Sequence, residues 1–267
     1  MLLKTLVALL VTFLAAGEVA QANIFETDRR EDLFPVPTEL QPIGVLKPVV
    51  EDGSWGTAFL VGECHIATGF HVAFPGWQKP GFTPSSEIQS EFHIGRTKDS
   101  RENGFEVKTK ATPVKWGGYH KETFGGLEGD WAVLELEECL GRSYGTIAID
   151  APIVAHKERS STVHMAGFPE DRQSREGISF DLSLERNCRI RDWGPGLLAG
   201  FDCALARGAS GSPVMEEIDG RFYLVGLASQ MMGPLRSEPV VYSSKDAFNL
   251  MVSTDAFIAA IREVIQQ

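Results

Sequence analysis

The chain has 267 residues, with 25 Lys and Arg against 36 Asp and Glu, a formal net charge of −11. So acidic a protein is repelled by phosphate backbones, which excludes nucleic acid as a partner and says nothing about any other substrate. The length suits one compact unit or two small barrels sharing a cleft, and no internal repeat is visible.

Residues 1–22 open with a basic start at Lys4, an apolar run from Thr5 to Ala16 and a small-residue exit at Ala20-Gln21-Ala22. This pattern predicts a cleaved signal peptide and a mature chain beginning at Asn23. The run is too short to span a bilayer, and no later stretch approaches about 20 uninterrupted apolar residues. The expectation is a secreted or periplasmic protein without a membrane span; nothing specifies an oligomer, and a monomer is expected. Residues 23–41, rich in Asp, Glu, Arg and Pro, read either as an ordered extension or as a removable pro-segment.

From Pro42 onward, short apolar runs punctuated by Gly, Pro and Asn point to an all-β fold. Predicted strands are Ile43 to Pro48, Gly56 to Val61, His65 to Thr68, Glu91 to Ile94, Phe105 to Thr109, Trp131 to Leu136, Ser161 to Ala166, Phe222 to Ser229 and Val240 to Tyr242. Asn103-Gly104 suits a hairpin turn, because both residues tolerate positive φ. Residues 75–126 otherwise read as long loops and hairpins. Ser253 or Thr254 can cap a terminal helix whose Phe257, Ile258, Ile261, Val264 and Ile265 recur at helical spacing. A boundary near Thr146 to Pro152 divides the chain into units 42–150 and 151–252, followed by the helix 253–267.

The four cysteines of an exported chain are expected to pair, with three possible connectivities. Cys188 and Cys203 lie 15 positions apart on the approach to a Gly/Ser-rich loop and are paired here, leaving Cys64 with Cys139. No Cys-x-x-Cys or close Cys/His cluster occurs, so neither a metal nor another cofactor is expected.

That loop, Gly208-Ala209-Ser210-Gly211-Ser212-Pro213, holds a serine between small residues, as hydrolases do to expose a nucleophile. A serine hydroxyl is weak at neutral pH and needs a histidine base oriented by a carboxylate. His71 follows Ala67-Thr68-Gly69-Phe70, and Asp130 precedes the apolar run Trp131-Ala132-Val133-Leu134. The order His, Asp, Ser, with no histidine after Ser210, excludes an α/β-hydrolase elbow, which requires the histidine last. Each residue also admits a structural role: Ser210 in a turn, His71 as a packed side chain, Asp130 at a strand start. Ser212 is a second candidate nucleophile, and Asp99 and Asp150 are weaker candidate carboxylates, lacking a following apolar strand. His65, His93, His120, His156 and His164 read as surface or core residues, and Gly167-Phe168-Pro169 as a turn.

With the Gly56-Thr57-Ala58-Phe59 strand ahead of His71, these three motifs resemble the trypsin-like (chymotrypsin-fold) serine peptidases, in particular the secreted bacterial branch that includes the glutamyl endopeptidases. The resemblance runs from about Pro42 to the C-terminus. Two departures stand out: Gly69-Phe70 where the family usually has Ala-Ala or Asn-Lys, and Ala209 where it has Asp or Asn. The resemblance implies two six-stranded antiparallel β-barrels, a C-terminal helix and an active site in the cleft between the barrels. It implies Ser210, ahead of Ser212, as nucleophile, His71 as base, Asp130 as the orienting carboxylate, and the amides of Gly208 and Ser210 as the oxyanion hole. The residue six before the nucleophile, which floors the primary pocket, is Ala204, so a basic preference is unsupported. Ala228 stands where glutamyl endopeptidases carry a carboxylate-binding His. Ala228, Ser229 and Gln230 would pair with substrate as an added strand, and the small uncharged pocket suits an apolar or unselective preference. The implied function is a secreted serine endopeptidase acting on polypeptides. The alternatives are a catalytically silent binding homologue, against which the intact set of three residues argues, and an esterase using the same chemistry.

Overall fold

The structure, a computed structural model, describes residues 22–49, 54–96, 104–119, 124–150, 162–172, 181–194, 196–233, 239–243 and 245–266. The proposed signal peptide up to residue 21, and with it Asp99, Asn103, His120 and His156, lies outside them. The N-terminal segment supplies β1 (Ala22–Asn23) and β2 (Glu31–Leu33). Next come β3 (Ile43–Pro48), β4 (Gly56–Leu60), β5 (His65–Thr68), β6 (Ser90–Arg96), β7 (Phe105–Trp116) and β8 (Ala132–Leu136). They close an antiparallel barrel in the order β3-β4-β5-β8-β7-β6. Every strand predicted in this half is present, and β7 continues well past Thr109.

The second half adds β9 (Thr162–Gly167), β10 (Leu182–Trp193), β11 (Leu198–Phe201), β12 (Leu205–Ala206), β13 (Pro213–Ile218), β14 (Arg221–Met232) and β15 (Phe248–Ser253). Pairing runs β11-β15-β14-β13-β9-β10, and β10 pairs back to β11, closing a second ring of six. The N-terminal segment is stitched to this barrel, β2 against Leu182–Leu184 of β10 and β1 against β12. The predicted strand at Val240 to Tyr242 is corrected: Pro239 has no amide to offer a ladder, Val241 is 79% exposed, and Val240 makes only an isolated bridge to Phe25. Four strands of this barrel were not predicted, namely β10, β11, β13 and β15.

Strand alternation divides the core. On β15, Leu250 and Val252 join the large cluster that includes Phe59, Phe92 and Leu134 of the first barrel. Met251 between them joins the interior of the second barrel with Val163, Phe201, Val214 and Val225. Residues 146–150 run from one barrel to the other: the Ile147 amide bonds the Leu60 carbonyl, and the Ala148 carbonyl accepts from Leu224. Ser253 accepts a bond from the Asp255 amide, and a 3-10 turn (Thr254–Ala256) leads into the C-terminal helix Ile258–Ile265, which buries Ile261 and Val264. Both disulfides pair as expected, Cys64 with Cys139 and Cys188 with Cys203. Among the described residues no helix is long and apolar enough to cross a membrane.

Candidate active site

His71 lies on a one-turn helix, Phe70–Ala73, that begins as β5 ends. Its Nδ1 lies 2.9 Å from each carboxylate oxygen of Asp130, and its backbone amide donates to Oδ1 at 3.1 Å. Since the carboxylate can only accept, Nδ1 carries a proton, which in the neutral form of the ring leaves the lone pair on Nε2. At Gly69 a Cβ would lie 3.2 Å from the imidazole and 3.6 Å from Asp130 Oδ1, so the backbone runs close against the pair. Behind the ring, Tyr119 packs against Phe70 and Trp77, and its hydroxyl accepts from Gln230 Nε2.

Asp130 is fully buried. Burial alone would push its pKa up, but the neighbouring His71 charge and hydrogen bonds from His71 and the Ser229 hydroxyl outweigh it, so the carboxyl is held below its ordinary value. Ser229 thus serves as a partner of the carboxylate, a role not read from sequence. Burial and the Asp130 charge together raise the Tyr119 pKa, keeping the phenol neutral.

Ser210 is half-buried, whereas Ser212 is wholly enclosed. The Ser210 hydroxyl donates to the Ser229 carbonyl at 3.4 Å. His71, Ser210 and Gly208 line one cleft cavity of about 440 Å³ with Trp55, Val72, Glu170 and Arg207. In the loop, the amides of Ala209, Gly211 and Ser212 bond the carbonyls of Ala206, Ala228 and Ala209. Among the described residues the Gly208 and Ser210 amides donate to no protein acceptor. Two unpaired amides beside a serine form a ready site for developing negative charge. Gly208 has φ +81°, and a Cβ there would sit 2.5 Å from the Phe168 carbonyl oxygen, so only glycine fits.

Thr57 on β4 ties this loop to the first barrel. Its amide donates to the Ser210 carbonyl at 2.8 Å and its hydroxyl to the Gly208 carbonyl at 2.8 Å, while the hydroxyl accepts from the Phe168 amide at 3.0 Å. Sequence reasoning missed Thr57 and Phe168, although Thr57 stands inside the Gly-Thr segment that carried the resemblance. The predicted pocket residues divide. Ala204 and Ala228 are buried, and Ala228 gives its amide to Ser212 and its carbonyl to Gly211, so the expected pairing of its main chain with substrate is corrected. The β13 partnership ends at Pro213 with Leu227, and beyond Ala228 the strand edge turns toward Ser210 with the Ser229 carbonyl and half-buried Gln230.

The remaining candidates lie elsewhere. Asp150 is an exposed partner of Arg262 at 2.9 Å, His93 is buried against Glu91, and His164 faces Glu217 at 3.9 Å. Burial is the main cause holding both of these imidazoles below their ordinary pKa, to about 4 for His93. Among the described residues no group of three or more His, Cys, Asp or Glu is arranged to hold a metal ion.

No protein-family model matches the chain, and no curated protein is similar to it in sequence. Solved structures do match. A Glu endopeptidase superposes with a TM-score of 0.62 at 18% identity, over 91% of this chain and 100% of its own. A thermostable serine protease from an extremophilic microorganism superposes with a TM-score of 0.56 at 15% identity, over 86% and 100%. The fold is that of the trypsin-like serine peptidases. In this two-barrel architecture the first barrel carries His71 and Asp130, the second carries Ser210, and the barrels meet there through the Thr57 amide on the Ser210 carbonyl and the Ser229 hydroxyl on Asp130.

Proposed function

We propose that this protein is a secreted serine endopeptidase in which Ser210 attacks a peptide carbonyl, His71 takes its proton and passes it to the leaving amine, and Asp130 holds the imidazole. The observation that carries the reading is the pairing of an oriented imidazole, its Nδ1 bound to a buried carboxylate, with a serine flanked by two undonated amides in one cavity. The long bond from Ser210 to the Ser229 carbonyl is readily given up when the hydroxyl turns to Nε2. Water excluded from Asp130 keeps the imidazolium partner strong as charge develops. The Gly208 and Ser210 amides then receive the oxyanion, and water resolves the acyl-enzyme without any cofactor. Ala204 puts no charge at the pocket base, which fits an apolar or unselective preference. Two disulfides and the leader-like first 22 residues support export.

Incubation with a denatured protein mixture, with cut sites read by mass spectrometry, is expected to show cleavage that falls about 10⁴- to 10⁶-fold in Ser210→Ala. Equal cleavage by both proteins refutes the assignment. Labelling by an organophosphate separates an active enzyme from a silent homologue, and cleavage of protein separates a peptidase from an esterase.

A further inference from the structure

We infer that Arg30 is a positioning residue for the oxyanion loop: acting through the turn at residues 170–172, it holds the Arg207–Gly208 peptide with the Gly208 amide aimed into the cleft. The inference rests on the peptidase reading above. Arg30 belongs to the N-terminal segment, yet only 2% of its side chain is exposed. Its Nε and Nη2 grip Asp28 at 2.9 and 2.8 Å, and its Nη1 and Nη2 grip Asp171 at 2.9 and 2.6 Å. Two forked pairs define the plane and the place of a guanidinium as a single charge contact cannot.

Asp171 is the middle residue of the short helix Glu170–Arg172, and Arg172 returns a bond to the Arg30 carbonyl. Three residues of 3-10 helix hold little of their own geometry, so the clamp fixes where this turn sits. Its first residue, Glu170, donates its amide to the Arg207 carbonyl at 2.7 Å. In a trans peptide C=O and N–H point opposite ways, so fixing the Arg207 oxygen fixes the direction of the Gly208 hydrogen. Glycine at φ +81° offers little resistance of its own to rotation of that peptide, and the restraint has to come from outside. Arg30 also lines, with Ala204, Ala209, Gly167 and Pro169, the small void behind the loop.

Of these three groups only the guanidinium is enclosed, with Asp28 exposed and Asp171 half-buried, and an arginine so enclosed is a poor device for stability alone, because an apolar side chain of similar volume usually serves as well. Its position behind the reactive loop accounts for the expense. It also makes residues 28–33 a retained part of the working enzyme and not a discarded pro-segment.

The test uses the full chain, fluorescein-labelled denatured casein as substrate, and a fluorophosphonate as nucleophile probe. Arg30→Ala is expected to lose kcat by about 10- to 100-fold, somewhat less than removal of an oxyanion donor itself, with KM within about twofold. Phosphonylation should slow in parallel, and added guanidinium ion should restore part of both rates. Glu170→Pro removes the donated amide at a helix position that accepts proline, so it reaches the same peptide without touching the triad. It should show the same loss with no guanidinium rescue, and it carries the test if Arg30→Ala does not fold. Wild-type kcat in either folded variant overturns the inference, as does a loss in Arg30→Ala that guanidinium leaves unchanged. A wild-type protein that neither cleaves casein nor reacts with the probe overturns the peptidase reading itself, and this inference with it.

Discussion

His71 and Asp130 sit at the ends of β5 and β8, strands that pair directly through Thr68 and Ala132. The imidazole and carboxylate therefore meet because their own ladder delivers them, and the two Nδ1 contacts with the backbone amide complete the arrangement. Ser210 has no such ladder. Its loop is held by Thr57 from the other barrel, by Glu170 after β9, by Ala228 on β14, and through Asp171 by Arg30 from the N-terminal segment. The proposed base is thus positioned locally and the proposed nucleophile by convergence from distant parts of the chain. Damage to the first region should alter proton transfer, and damage to the second should alter charge stabilisation.

The largest expected effect after loss of the nucleophile falls on the local side. Asp130→Asn preserves shape but offers an amide to Nδ1, favouring the wrong tautomer, and should lower kcat by about 10⁴ while leaving KM nearly unchanged. Casein cleavage across pH would check it, and a variant within tenfold of wild type would mean that the imidazole needs no orientation from this carboxylate. On the convergent side, Thr57→Val keeps volume and removes one hydroxyl. The Gly208 carbonyl and Phe168 amide then lose a buried partner, at a cost of about 1–3 kcal/mol in stability. A fall in kcat of roughly 10- to 50-fold should accompany it, smaller than loss of a direct oxyanion donor because Thr57 acts through the loop. Denaturant unfolding and steady-state kinetics separate the two effects; wild-type kcat in a destabilised variant would leave Thr57 as a packing residue only.

The same contrast governs what could be read from the sequence. All six strands of the first barrel were legible, because runs such as Gly56-Thr57-Ala58-Phe59-Leu60 and Ala132-Val133-Leu134 are compact and apolar. In the second barrel β10 carries Glu185, Arg186, Arg189, Arg191 and Asp192 among its apolar residues, and β13 ends in Glu216 and Glu217, so the alternation was masked. The candidates His71, Asp130 and Ser210 stood out in the sequence because small residues or an apolar run frame each of them. Thr57 carried a faint signal, standing in the segment that leads to His71. Arg30 carried none: one arginine in an acidic, proline-containing stretch gives no hint of burial, and only the pairing of β2 with β10 brings it behind the loop.

Two buried carboxylates, one in each barrel, sharpen the comparison at its smallest scale. Asp130 is held below its ordinary pKa, so its favourable contribution is complete above the unfolded value and fades as pH falls through the folded one. Glu185, 2% exposed, has the opposite sign: burial raises its pKa more than the Ala204 amide and the Arg29 and Arg30 charges lower it. Its ionised form is a net penalty, present in full above the folded value and relieved as pH falls toward the unfolded one. Glu185→Gln keeps an oxygen for the Ala204 amide, bonded at 2.6 Å in the wild type, and removes the charge. At pH 7 it should leave Tm unchanged or raise it by roughly 1–3 °C, and it should remove the gain in stability that relief of the Glu185 penalty is expected to give the wild type on mild acidification. Thermal unfolding of both proteins between pH 4 and pH 7 checks this, at a range where Asp130 still contributes its part. A clear loss of Tm at pH 7 would show that the pairing with Arg29, at 3.0 Å and open to solvent on the arginine side, outweighs the cost of burying the glutamate.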